Sequence, residues 1–398
     1  MDLHIVKKTQ SLTTAEEMRN QTKLMMQPYA SWEEYLTPAT FPIAILGELW
    51  FISCNSNSDF SINKNPPKVG YKYIKYPESF RACLMQVCNF SCWVFNEAHK
   101  NMDEIKLHTM EVPDYMKSAL KILFEGNDVV IEAQLPKQLA KIHEVAQDCV
   151  LLGDSTETQV IDAINIIQEL LEECVNAEYF YSEKLDEIKR QLTPKPPTMY
   201  VPVEFSTIHQ MLVKGIDAMR RVKEQWEKIR CFFKMVSNIV KIYLNQTLKD
   251  FVSILEKTQK VSYNAKLFSK DLLYNQAFLA TNITNLVNMI STTYTEVSTK
   301  HIMDRVSSLG KLMVMDKKKP EFQSEVQHLR NSSDEAQKAI FYFVLKNKKE
   351  FEEKSLARLE KIDKELLAIL PAAAPEELKS IQAAVKSGFT EEDESAYA

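Results

Sequence analysis

Apolar side chains recur along most of this chain in steps of three and four. From Val160 the series Ile164, Ile167, Leu171, Cys174, Glu178, Tyr181, Leu185, Ile188 and Leu192 alternates steps of four and three, with Glu178 as its polar member. That spacing is one face of an α-helix, and its alternation is that of a heptad seam. Thr156, with Gln159 three residues on, supplies a capping box, so the pattern predicts a helix over about 156–192. The stretch TPKPPTMYVP, residues 193–202, ends it, because its four prolines cannot continue a helix.

The same periodicity returns in Leu212, Ile216, Met219, Val222, Trp226, Ile229, Phe233, Val236, Val240 and Leu244, and again in Leu279, Ile283, Leu286, Ile290, Tyr294 and Val297. No proline lies between Pro202 and Pro320, and the glycines there are Gly215 and Gly310. One unbroken helix of that length would measure on the order of 175 Å. A break near TQKVSYN, residues 258–264, is therefore expected, giving helices over about 203–257 and 263–318. A further helix over about 321–370 follows Val326, Leu329, Ala336, Ile340 and Phe343. Pro375 and Gly388 bracket a short helix ahead of the acidic tail EEDESAYA.

The fold class expected from this pattern is all-α: an elongated bundle of long antiparallel helices with coiled-coil-like packing. Residues 1–150 read as an irregular helical N-terminal region, 151–370 as the long-helix bundle, and 371–398 as the short helix and tail. Within the first region, NSNSDFSINKNPPKVGYKYIKYPES, residues 55–79, carries the Asn, Ser, Pro and Gly of a long loop. Its Tyr71, Tyr73 and Tyr76 alternate with lysines, a pattern open to three readings: an exposed strand, a membrane-surface contact or an ordinary solvent loop.

Composition supports the helical reading. Seven glycines in 398 residues are few, and Leu, Ile, Lys, Glu and Met lose little entropy in helices. A formal charge of −5 argues against a nucleic-acid partner. Seven cysteines, an odd number spread over a large chain, suit reduced thiols better than a disulfide framework. MDLHIVKKTQSL at the N-terminus lacks the apolar core of a signal peptide, so a cytoplasmic location is the default expectation, with release by a signal-independent route as the alternative. Charge also suggests a pairing. Residues 155–192 hold nine acidic and three basic side chains, whereas 203–241 hold eight basic and four acidic, which favours antiparallel neighbours.

Motifs of catalysis are missing from the sequence: it contains no G-x-G-x-x-G, phosphate loop, H-E-x-x-H, C-x-x-C or G-x-S-x-G. Cys83, Cys88, Cys92 and His99 raise the idea of a metal site. His99 stands about 10.5 Å along the axis from Cys92, too far to share an ion, and a buried apolar stripe is the better account. His209 and His301 sit within helices with no nucleophile in view. The expectation is a protein that is not an enzyme and that uses no cofactor or metal.

Two segments bear on membranes. FPIAILGELWFISC, residues 41–54, is apolar but carries Glu48 and is too short to span, which favours a buried helix. LLYNQAFLATNITNLVNMISTTYT, residues 272–295, has no charge and would be about 36 Å long as a helix, against about 30 Å of hydrocarbon. Eleven of its 24 residues are Asn, Gln, Ser or Thr, which suits the interior of a bundle as well as a surface meeting lipid on one face.

A heptad helix, a Pro-rich turn, a long hairpin and a C-terminal helix together resemble the elongated α-helical pore-forming toxins of the cytolysin A, haemolysin BL and xenorhabdolysin A type. The resemblance covers roughly 150–370 and is carried by VPVEFSTIHQMLVKGIDAMRRVKEQWEKIRCFFKMVSNIVKIYLNQTLKDFV, residues 201–252, through HIMDRVSSLGKLMVMD, residues 301–316. It implies a membrane-active protein whose soluble form converts to a membrane-bound oligomer, with a lipid membrane and further copies or a second helical subunit as partners. On that reading Phe41, Ile43, Ile45, Leu46, Leu49, Trp50, Phe51, Leu279, Ile283, Leu286 and Ile290 are candidates for membrane contact. Arg220, Arg221, Lys223, Lys228, Arg230 and Lys234, in RRVKEQWEKIRCFFK, are candidates for headgroup contact. The alternative from another class is a cytosolic scaffold whose same surfaces bind a protein.

Overall fold

The computed structural model describes residues 23, 25–55, 59–192, 203–261 and 269–370. Among them every regular element is helical, and the fold is all-α. A short helix α1 (Trp32–Leu36) leads into α2 (Phe41–Asn55). After a loop come α3 (Phe80–Glu125), α4 (Asp128–Leu192), α5 (Val203–Asn238), α6 (Asn245–Thr258), α7 (Lys270–Val297), α8 (Met303–Val314), α9 (Pro320–Glu353) and α10 (Ser355–Leu367). Wide π-helical turns, Ile239–Leu244 and Ser298–Ile302, join α5 to α6 and α7 to α8.

Residue pairs fix the directions. Asn101 reaches Thr156, His108 approaches Asp148, and Lys141 lies over the Tyr115 ring, so α3 and α4 run antiparallel. Glu178 meets His209 and Asp154 meets Ser237, which makes α5 antiparallel to α4. Asn288 on α7 bonds Lys106 and Thr109 on α3, and Asn347 on α9 bonds Thr293. At 65 residues α4 is about 97 Å long by the helical rise.

Helix α4 differs from its sequence reading at the start. It begins at Asp128, where Asn127 Oδ1 accepts the Val130 amide, and runs through residue 150, the boundary expected between an irregular region and the bundle. Thr156 is not a cap. It is buried mid-helix, donating to the Leu152 carbonyl and accepting from the Asn101 amide. Gly153 lets α5 approach: a Cβ there would stand 3.4 Å from Ser237 Cα. The heptad seam of α4 is buried at Val160, Ile164, Ile167, Cys174, Tyr181 and Leu185, but Ala163, Leu170 and Ala177 are buried beside it. The apolar stripe is thus wider than a two-stranded seam and packs on both α3 and α5.

The expected helix 203–257 is α5, its π turn and α6; 263–318 is α7, a π turn and α8, with 262–268 outside the described residues. The helix expected over 321–370 divides at Lys354 into α9 and α10. The Pro-rich stretch 193–202, the short helix after Pro375 and the acidic tail lie outside the described residues.

Helices α2 and α7 lie within the core to which the long helices all contribute. Apolar on all sides, α2 is packed by α3, α5, α8 and α9. Trp50 Nε1 donates to the Leu312 carbonyl in the last turn of α8, which also accepts the Met315 amide, and Glu48 pairs with Arg330 at 3.3 Å. Helix α7 is enclosed by α3, α6, α9 and α10. Of the uncharged run 272–295, only Leu272 is exposed. Four of its hydroxyls are met at home: Thr281, Thr284, Ser291 and Thr293 each donate to the carbonyl four residues back, at 2.7–2.9 Å.

Candidate functional site

The candidate membrane contacts therefore sit inside this fold. Ile43, Ile45, Leu46, Leu49 and Trp50, and Ile283, Leu286 and Ile290, are all buried; Phe41, Phe51 and Leu279 are half-buried against the same core. The physical reason is that the most apolar segments are also the ones every neighbouring helix can pack against. The candidate headgroup contacts lie on the outer side of α5, with Arg220, Arg221, Lys228 and Lys234 exposed and Lys223 and Arg230 half-buried. Three are paired along their own helix: Arg221 with Asp217, Lys228 with Glu224 and Arg230 with Glu227. That face is a mixed-charge surface.

A different surface gathers exposed aromatic and basic groups: the loop between α2 and α3 with the outer side of α3. Residues 60–77 hold four lysines, Lys64, Lys68, Lys72 and Lys75, and no Asp or Glu. The loop is folded onto the bundle from its ends inward. Phe60, Ile62 and Ile74 are buried, and Phe60 stacks on Phe80 with centroids 4.9 Å apart. The Ile62 and Asn63 amides donate to the Pro77 carbonyl, and the Phe80 amide donates to the Phe60 carbonyl. Asp59 accepts from the Phe60 and Arg81 amides and from the Ser79 hydroxyl, while Ser79 caps α3 through the Ala82 amide.

The middle of the loop is held by α3 and α4. The Glu169 carboxylate accepts three successive backbone amides, from Lys72 at 2.8 Å, Tyr73 at 2.6 Å and Ile74 at 2.7 Å. The Gln86 side-chain amide donates to the Tyr73 carbonyl and accepts from the Lys75 amide, pairing with the loop as a strand would. Tyr71 turns inward, its hydroxyl 2.9 Å from Asn63 Oδ1 and 3.3 Å from the buried carboxylate of Glu173. Burial raises the pKa of that carboxyl, the bonds from Tyr71 and Asn176 opposing the rise. Lys64 lies over the Phe180 and Tyr181 rings, and Glu78 is engaged by Ser61 and Asn63.

What remains outward is the tip and one wall. A turn closed by the Gly70 amide on the Pro67 carbonyl requires φ +78° at Gly70 and leaves Val69 98 % exposed between Lys68 and Lys72. Tyr76, Met85 and Trp93 are exposed beside Phe90, around a concavity of about 730 Å³ that Lys72, Lys75 and Asp162 also line. The sequence reading noticed the Tyr–Lys alternation but missed Met85, Phe90 and Trp93, which sit on the outer side of α3. A stripe of large apolar residues off the buried face of that helix was the available signal.

The remaining sequence candidates are placed as follows. Cys83 and Cys88 are buried and Cys92 half-buried; burial raises all three thiols, Cys83 to about 12 and Cys92 to about 11. Among the described residues no group of three or more His, Cys, Asp and Glu could hold a metal ion. His209 pairs with Glu178 at 2.8 Å, and burial lowers the pKa of His301. One stretch, Trp32–Cys54, is long and apolar enough to cross a membrane by length and composition, and 72 % of its apolar window is buried inside the fold. No family model, curated protein or solved structure matches the chain.

Proposed function

We propose that this chain is a membrane-active helical protein that docks on anionic lipid through the loop between α2 and α3 and the outer side of α3. The observation that carries the reading is the clustering of Lys68, Lys72 and Lys75 around exposed Val69, Tyr76 and Trp93, on a chain of net charge −5. Trp and Tyr flanked by lysine is the composition of groups that settle at the boundary between headgroups and acyl chains. At about 1 kcal/mol per lysine near an anionic surface, the three contribute about 3 kcal/mol at moderate salt. Val69 and Trp93 add apolar area, and the anchoring of the loop by Glu169 and Gln86 means little ordering is needed on contact.

Conversion to an inserted oligomer, which the resemblance to the α-helical toxins implies, is a second step. It takes α2 or α7 out of the core, since those helices hold the long apolar segments. The experiment is flotation with neutral and anionic vesicles, combined with dye release. Flotation with anionic vesicles, lost at high salt and in a Lys68→Glu/Lys72→Glu/Lys75→Glu variant, supports docking. Release in the same samples supports the toxin-type conversion. Folded protein that neither floats nor releases dye leaves the scaffold reading, in which this surface binds a protein.

A further inference from the structure

On another side of the molecule α1, α7, α9 and α10 line a second, open-mouthed cavity, of about 660 Å³, within the size range of small-molecule sites. Met26, Trp32, Leu286, Met289, Phe351 and Leu359 make its apolar lining. Three other features of the lining point to what it holds. Trp32 is 0 % exposed and its indole Nε1 has no hydrogen-bond partner. Ser355, also buried, has a hydroxyl without a partner, and Arg358 has an unpartnered buried Nε. An indole N–H and a guanidinium N–H can only donate, and buried donors are rarely left unmet. The missing group is therefore an acceptor.

Charge narrows the choice. Lys23 pairs with Glu352 at 3.3 Å, and Lys348 pairs with Glu33 at 2.8 Å while also donating to the Ala30 carbonyl. Arg358 makes no ion pair among the described residues. Its guanidinium lies 3.6 Å from the Phe351 ring centroid and its Nη1 donates to the Phe351 carbonyl. Burial without a counter-charge pushes its pKa down to about 10. The cavity thus combines an uncompensated cation, unmet donors and a deep apolar lining.

We infer that this cavity binds a single-chain amphiphile, its alkyl tail among Leu286, Met289 and Leu359 and its anionic oxygen headgroup at Arg358, Trp32 Nε1 and Ser355. A planar guanidinium takes a carboxylate or a phosphate through the same parallel N–H bonds, so the headgroup chemistry is shared by the two. The site uses none of the residues of the docking loop and stands whether or not that surface meets lipid.

The test is titration of the full chain, free of vesicles and below micelle concentrations, with decanoate, decyl phosphate and decanol, followed by calorimetry and tryptophan emission. Saturable binding of decanoate or decyl phosphate at one per chain is expected, with decanol weaker by roughly tenfold or more, the scale of one bond to a charged group. Whichever anion binds more tightly identifies the headgroup. Arg358→Met keeps the stem over Phe351 and should lower anion affinity to the decanol level; Arg358→Lys should restore part of it. Trp32→Phe, which keeps the ring packing, should weaken anion binding alone and serves as the second probe if Arg358→Met unfolds. Equal affinity for decanol and the anions, unchanged affinity in both variants, or no binding by folded protein would overturn the inference.

Discussion

Glu169 is the point at which the docking loop can be released without touching its exposed side. Replacing it with Ala removes one acceptor from three amides, those of Lys72, Tyr73 and Ile74. Bonds to a charged acceptor contribute about 1.5–3 kcal/mol each. The Lys72 amide is near solvent and water replaces part of the loss, so about 2–3 kcal/mol is the expected net cost, discounted for screening. At 1.4 kcal/mol per tenfold, the opening equilibrium of the loop rises roughly 30- to 140-fold. The cost is local, because Phe60, Ile62 and the Asp59 bonds hold the loop ends independently. Hydrogen exchange should show the amides of residues 72–74 exchanging at least tenfold faster, with those of Leu84 and Val87 in α3 unchanged. Glu169→Gln, which keeps an acceptor oxygen, should fall between. Exchange at 72–74 within about twofold of the parent would refute the argument that this carboxylate holds the loop.

Three further outcomes follow from burial. Ile283→Asp with Leu286→Asp places two unpaired carboxylates in the core, at about 3–5 kcal/mol each, and should abolish the cooperative thermal transition; a monomer melting like the parent would show that α7 is not enclosed. The folded chain keeps the Glu173 proton at pH values where the unfolded chain has lost it, so that contribution is full below 4.5 and fades as pH rises through the raised value. Glu173→Gln should therefore remove part of the decline in urea-unfolding free energy between pH 4.5 and neutrality, and an identical slope in both proteins would count against it. Cys231 is exposed while burial lifts the Cys83 and Cys149 thiols to about 12 and Cys92 to about 11, so an aromatic disulfide reagent should modify one thiol rapidly in native protein. A second fast thiol would contradict the packing.

The helices were legible because steps of three and four persist over long stretches with almost no Gly or Pro. The start of α4 was not, since Thr156 with Gln159 reads locally as a capping box although it lies mid-helix. Only the partner helix reveals that Gly153 is a point of close approach to Ser237. The two most apolar segments were open to both a buried and a lipid-facing reading, because sequence shows that a helix is apolar without showing who covers it. The loop lysines were visible, whereas its anchor was not: Glu169 is one of nine acidic residues in its stretch, and nothing local marks it as the acceptor for a segment about a hundred positions away. The cavity at Arg358 depends on four helices converging and had no sequence signature.

The serine and threonine hydroxyls of α7 donate back to their own helix, and so as donors do not tie it to its neighbours. Asn288 on α3, Asn347 on Thr293 and the Tyr274–Asp363 bond are polar ties from it to neighbouring helices. A displacement by one turn would present a similar blend of methyls and self-satisfied hydroxyls to each neighbour, stranding few donors. Those ties therefore act as polar register marks for α7. Their removal would leave the register of α7 to side-chain packing alone, above all to Tyr294 against Phe232 and Phe233.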